Sequence, residues 1–90
     1  MSAQAQQVQL LISRSQAILC ASLTAELFRA IACCRIGKVA SDQAHSLRYI
    51  MVAEATSAKF MKLRSQGRIF KSKTILELMS LLELELGGRL

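Results

Sequence analysis

The chain has 90 residues, a net charge of +6 and a mean hydropathy of +0.33; 52% of its residues are hydrophobic and 20% are charged. This length fits one small domain, and such a high aliphatic content excludes an intrinsically disordered chain. The sequence holds no proline, 14 leucines and 12 alanines, a composition that favours an all-α fold over a turn-rich β fold.

The first predicted helix spans residues 3–36 and ends at Gly37, beside Arg35 and Lys38. Glycine commonly follows the last helical residue, and cations commonly lie near the terminal carbonyls. The apolar residues of this helix form two neighbouring series, a band too wide for one neighbouring helix to cover. The first series is Ile12, Leu19, Leu23, Leu27 and Ala30/Ile31, and the second is Leu11, Ile18, Ala25, Phe28 and Ala32.

The second predicted helix spans residues 41–65, with Ser41 or Asp42 as its N-cap and Gly67 just beyond its end. Apolar residues recur along it at helical spacing, and this stripe is predicted to face the core. The stripe consists of Ala44, Leu47, Met51, Ala55, Ala58 and Met61. The short connection to the first helix predicts that the two form an antiparallel hairpin.

The third predicted helix spans residues 74–86 and begins with a capping box formed by Thr74 and Glu77. Its predicted core stripe is Ile75, Leu78, Met79, Leu82 and Leu86. Residues 82–86 also alternate as a strand would, but no partner strand is predicted and Leu and Glu favour helix. We therefore predict one helical domain over residues 1–90, with a basic linker at residues 66–73.

The first predicted helix is longer than the second, so its N-terminal part has no cover within the chain. Leaving large apolar side chains in water forfeits about 1.5–3 kcal/mol each, so we expect a homodimer that completes a helical bundle. A helical partner protein would compete for the same surface. The predicted protein interface is Val8, Leu11, Ile12, Ile18, Leu19, Leu23, Glu26 and Arg29, with the last two pairing across the dimer seam.

Residues 59–73 contain six cations and no acidic residue: Lys59, Lys62, Arg64, Arg68, Lys71 and Lys73. Such a cluster is typical of a solvated linker, and it also suits contacts with phosphate groups or an acidic protein partner. No zinc-finger, RNA-recognition or basic-zipper motif accompanies it.

The sequence gives no sign of an enzyme, because no nucleophile–base pair, phosphate-binding loop or metal-ligand spacing occurs. Asp42 and His45 fit a solvated first helical turn better than a catalytic dyad. Cys20, Cys33 and Cys34 fit small apolar packing better than a redox role or an intermolecular disulfide. We expect no catalysis and no cofactor.

A cytoplasmic protein is expected, since residues 1–13 lack the Lys and Arg of a secretory signal. No uncharged apolar stretch approaches the length of about 20 residues that a membrane span needs. The sequence favours a non-enzymatic helical protein–protein interaction module: an adaptor, small chaperone or assembly subunit that presents an apolar helix face to a partner. The alternative is a small basic nucleic-acid-binding regulator that uses residues 59–73.

Overall fold

A computed structural model describes residues 3–68 and 72–87, apart from the side chains of residues 3–5, 8–13, 15–18 and 20. Three α-helices make up the fold: α1 (Ala3–Val39), α2 (Gln43–Ser65) and α3 (Lys73–Gly87). No strand occurs in this part of the chain, which confirms the all-α prediction, and residues 82–86 lie within α3. None of these helices combines the length and apolarity needed to cross a membrane.

Helix α1 does not end at Gly37 as predicted; it continues to Val39. Gly37 instead allows α2 to approach closely, because a Cβ atom at this position would lie 2.8 Å from Cγ1 of Ile50 and 3.1 Å from the carbonyl oxygen of Ser46. The Ser46 hydroxyl donates a hydrogen bond of 2.6 Å to the Gly37 carbonyl oxygen. Gly37 is therefore a contact residue between two helices rather than a helix terminator.

Replacing Gly37 with alanine is expected to lower the free energy of unfolding by about 1–3 kcal/mol, because the added methyl group overpacks the contact with Ile50. Alanine's better helix propensity offsets only about 0.5–1 kcal/mol of this loss. Urea denaturation measures the change. The matched control is Gly87→Ala, where the new methyl group would meet no atom within 4 Å; equal effects at the two positions would contradict this role for Gly37.

The ends of α2 match the sequence signals. Asp42 is the N-cap, and its side chain accepts a hydrogen bond of 3.1 Å from the backbone N–H of Ala44. After Ser65 the chain turns at Gly67, which has a φ of +67°, a left-handed conformation that glycine adopts without steric cost. The Arg68 N–H then donates to the Leu63 carbonyl oxygen at 2.9 Å, which closes the turn.

Helix α3 begins one residue earlier than predicted, at Lys73. The hydroxyl of Ser72 accepts a long hydrogen bond, 3.4 Å, from the N–H of Ile75, so Ser72 occupies the position that the capping box assigned to Thr74. Glu77 lies 4.0 Å from Lys73 across one helical turn.

The core lies where α1, α2 and α3 meet. Helix α3 buries the face that its sequence predicted and is the most strongly one-sided of the helices. Helix α1 buries its first predicted series from Leu23 to Ile31, whereas Ala25, Phe28 and Ala32 of the second series are exposed. Phe60 of α2 is completely buried. In the described part of the chain, the buried hydrophobic residues are Leu23, Leu27, Ala30, Ile31 and Cys34 of α1, Ile50, Ala53 and Phe60 of α2, and Ile75, Leu78, Met79 and Leu82 of α3.

The predicted core stripe of α2 was wrong: all six of its residues, from Ala44 to Met61, are exposed. Arg48 and Lys62 lie on the same side of the helix by their spacing, and turning that side inward would desolvate two cations. The buried side carries Ile50 and Phe60 together with the small Ala53. Small residues let the helices approach closely enough to pack around the phenyl ring.

Ion pairs connect the helices, among them one of 4.0 Å between Arg64 of α2 and Glu83 of α3. Glu85 of α3 lies 3.0 Å from Arg35 and 3.2 Å from Lys38, both on α1. Glu26 of α1 lies 2.7 Å from Lys59 of α2. These contacts tie both α2 and α3 to α1.

The Glu85 contact makes stability depend on pH. The hydrogen bonds from Lys38 and then Arg35 lower the pKa of Glu85 below its ordinary value of 4.5. The contribution of the Glu85 carboxylate to the free energy of unfolding is therefore complete above pH 4.5. It is lost as the pH falls through the lower pKa that this carboxyl group has in the folded state. The difference in unfolding free energy between the wild type and Glu85→Gln should shrink between about pH 7 and about pH 3, as measured by urea denaturation.

The control for this prediction is Glu77→Gln on the same helix, since the Glu77 side chain is 66% exposed and lies 4.0 Å from its cation. Exposed ion pairs at this spacing contribute little. If the difference in unfolding free energy between the wild type and Glu85→Gln stays constant with pH, the stabilising role of the Glu85 carboxylate is contradicted.

Candidate partner-binding groove

An open groove of about 480 Å³ lies where α1 passes the end of α2 and the turn that follows it. Among the residues that the structure describes, three leucines contribute its apolar lining: Leu19 and Leu23 from α1 and Leu63 from α2. Leu19 is 45% exposed, whereas Leu23 is buried at its base. The other described lining residues are Lys59, Gly67 and Arg68, all exposed, so the groove has an apolar floor with a cationic rim.

Local backbone structure fixes the rim. The left-handed conformation of Gly67 and the hydrogen bond from the Arg68 N–H to Leu63 place Arg68 back beside the last turns of α2. Lys59 is held by its 2.7 Å contact with Glu26. The ammonium group of Lys59 is therefore neutralised locally, while Arg68 is exposed without a carboxylate within 4.0 Å among the described residues.

The predicted interface residues lie in different places in the structure. Leu19 and Leu23 come together in the groove, although Leu23 is part of the chain's own core. Glu26 pairs with Lys59 of the same chain rather than being available to Arg29 of a second copy, and Arg29 is exposed. The side chains of Val8, Leu11, Ile12 and Ile18 lie outside the described part of the structure.

The predicted cationic cluster is dispersed rather than gathered on one surface. Beyond Lys59, Arg64 lies 4.0 Å from Glu83, and Lys73 lies 4.0 Å from Glu77. Lys62 is exposed with no carboxylate within 4.0 Å in the described residues. Lys71 lies outside them. The structure thus brings Lys59 and Arg68 to the groove and distributes the other described cations along α2 and α3.

A second apolar surface follows the outer side of α2, here called the α2 stripe: Ala44, Leu47, Met51, Ala55, Ala58 and Met61. Met51 is 66% exposed and is the most exposed of its three large side chains. Single exposed apolar residues are common on proteins, but a continuous stripe is typical of an interaction surface.

The residues considered for chemistry lie apart from the groove. His45 contacts the N-cap carboxylate of Asp42 at the start of α2, and both side chains are exposed. Cys33 is half-buried and Cys34 is buried in the core, while the side chain of Cys20 is outside the described set. Across residues 3–68 and 72–87, no three His, Cys, Asp or Glu side chains that the structure describes lie close enough to hold a metal ion.

Sequence reasoning missed two residues of the groove, Leu63 and Gly67. Leu63 follows the buried Phe60 by three residues, so placing Phe60 in the core would have placed Leu63 beside it. Gly67 was identified as the end of α2, but a turn residue does not by itself indicate a groove. No family model, curated protein or solved structure is detectably similar to this chain.

Proposed function

We propose that this chain is a non-enzymatic helical protein–protein interaction module, acting as an adaptor, small chaperone or assembly subunit. The observation that carries the proposal is the open groove lined by Leu19, Leu23 and Leu63. Its volume of about 480 Å³ lies within the range of about 300–1,000 Å³ that ligand-binding pockets occupy.

The groove suits one face of an amphipathic helix. Helices recognised in this way insert apolar residues spaced three or four apart into a hydrophobic groove. Each large side chain that becomes buried contributes about 1.5–3 kcal/mol. Leu19 is the residue with the most area left to bury, because Leu23 is already covered by the chain itself.

The test is titration of the full chain with a synthetic amphipathic helical peptide that carries leucines on one face. Leu19→Asp is expected to weaken binding by about tenfold or more, because it places a carboxylate in the centre of an apolar contact. The matched control is Leu84→Asp, since Leu84 is a leucine on α3 that is 72% exposed and outside the groove. The proposal fails if the wild type does not bind or if both variants bind equally well.

The proposal also includes an arrangement of the helices and of a second copy of the chain. Because Gly37 adjoins Ile50 while Glu26 adjoins Lys59, we take α1 and α2 to form an antiparallel hairpin with α3 packed against it. A second copy of the chain would complete the bundle by covering the α2 stripe. This leaves the groove available to a different protein.

Nucleic-acid binding through residues 59–73 is the second candidate, favoured by the exposed Lys62 and Arg68. The carboxylates beside Lys59, Arg64 and Lys73 make nucleic-acid binding the less favoured function, because a phosphate backbone would have to compete with these carboxylates for the cations. Affinity that falls steeply with salt and disappears after glutamine substitution of Lys62, Arg64, Arg68 and Lys71 would support this candidate.

A further inference from the structure

We propose that the helix received by the groove is acidic, with carboxylates on both sides of its apolar face. This inference rests on the proposed function and specifies the chemistry of the partner. Its basis is the combination, in one place, of three leucines with cations that the chain does not fully neutralise.

The charge around the groove is positive. Of its described lining residues, Lys59 and Arg68 are cations and none is acidic. The carboxylate within 4.0 Å of either cation, in the described residues, is Glu26, which pairs with Lys59. Two positive charges and one negative charge leave +1. The carbonyl end of α2 offsets only about half a charge of this excess.

The charged side chains are at the exposed edge of the groove, because Lys59 and Arg68 are exposed whereas Leu63 is half-buried and Leu23 is buried. Arg68 and Lys59 line the same groove as Leu19 and Leu63. When a helix lies in such a groove, the residues that flank its apolar face meet the rim, as the flanking positions of coiled-coil helices do. Carboxylates there would reach Arg68, while basic residues there would meet like charge.

A second copy of this chain is a poor occupant by the same argument. It carries the same net charge of +6, and its residues 1–25 contain one charged residue, Arg14, and no carboxylate. A helix from that segment would add no negative charge to the rim. The acidic helix α3 of a second copy already buries its apolar face, from Ile75 to Leu82, in its own core. The groove therefore favours an acidic partner, which distinguishes it from the α2 stripe.

The experiment compares three peptides with the same leucine face and with Glu, Gln or Lys at the flanking positions. The full chain should bind the Glu peptide about three- to fivefold more tightly than the Gln peptide at low salt, from an exposed ion pair with Arg68. The Lys peptide should bind most weakly. The differences should narrow as salt is raised, because exposed charges are screened.

Arg68→Glu should reduce affinity for the Glu peptide by about tenfold and raise affinity for the Lys peptide. The backbone hydrogen bond from residue 68 to Leu63 does not depend on the side chain, so the turn is retained, and circular dichroism checks this. Arg48→Glu makes the same charge change at an exposed position of α2 that does not line the groove. This variant should bind the Glu peptide most tightly and the Lys peptide most weakly, as the wild type does.

The outcomes separate the two proposals. If none of the peptides binds, the proposed function itself fails. If all three bind equally, the groove receives helices but the inference of an acidic partner is overturned. Stronger binding of the Lys peptide, or equal effects of Arg68→Glu and Arg48→Glu, would also overturn it.

Discussion

Replacing Phe60 with alanine should lower the free energy of unfolding by about 3–5 kcal/mol. Phe60 is completely buried among the three helices, and the space beside it is bounded by Leu27, Met79 and Leu82. The substitution would leave an apolar cavity that these neighbours fill only partly. Because small domains have about 5–15 kcal/mol of total stability, the variant should be close to unfolding at room temperature.

The matched control is the adjacent residue. Met61 belongs to the α2 stripe and is 48% exposed, so Met61→Ala should change stability by less than about 1 kcal/mol. Urea denaturation of both variants measures the difference through the transition midpoints. Equal destabilisation by the two substitutions would contradict the orientation of α2 on which the α2 stripe and the groove both depend.

Self-association through the α2 stripe should be lost when Met51 is replaced by aspartate. A two-fold interface places the same surface on both sides, so one substitution introduces two carboxylates into an apolar contact. Light scattering of the wild type at micromolar concentration should give twice the chain mass of 9.9 kDa, and the variant should give 9.9 kDa.

Leu84→Asp, which alters an exposed leucine of α3, should leave the wild-type mass unchanged. A monomeric wild type would show that no second copy covers the stripe at these concentrations. A Met51→Asp variant that remains dimeric would place the contact elsewhere, for example on the N-terminal part of α1, where the sequence predicts it.

The one-sided apolar pattern of α3 was sufficient to predict its buried face, because Ile75, Leu78, Met79 and Leu82 leave no competing stripe. The cap at Asp42 and the turn at Gly67 were also predictable, since each depends on residues within a few positions. These features are local, and local chemistry determines them.

The buried face of α2 was not predictable in the same way. Its apolar residues lie on both sides, and counting large residues favours Leu47 and Met51 over Ile50 and Ala53. What decides between the sides is tertiary: the space available for Phe60 and the cost of desolvating Arg48 and Lys62. The apolar pattern of a single helix shows neither the space available for a side chain nor the cost of desolvating a cation.

Long-range pairing explains the other differences. Gly37 has the sequence context of a helix end, and only the approach of Ile50 shows that it is needed for close packing. Glu26 interrupts an apolar band, which suggested a role at a dimer seam, whereas Lys59 lies 33 residues further on and pairs with it. The groove depends on such contacts between residues far apart in the sequence. Its leucines were therefore predicted as part of an interface and its cations as part of a basic cluster, and the two sets were not predicted as one site.

The most direct test of the central claim, that the groove holds a helix, is a methyl NMR titration of the full chain with the Glu-flanked peptide. The account predicts that the methyl resonances of Leu19, Leu23 and Leu63 shift together and saturably, while those of Leu84 and Met51 stay in place. Shifts confined to Met51 and its neighbours on the α2 stripe, or no shifts at all, would contradict it.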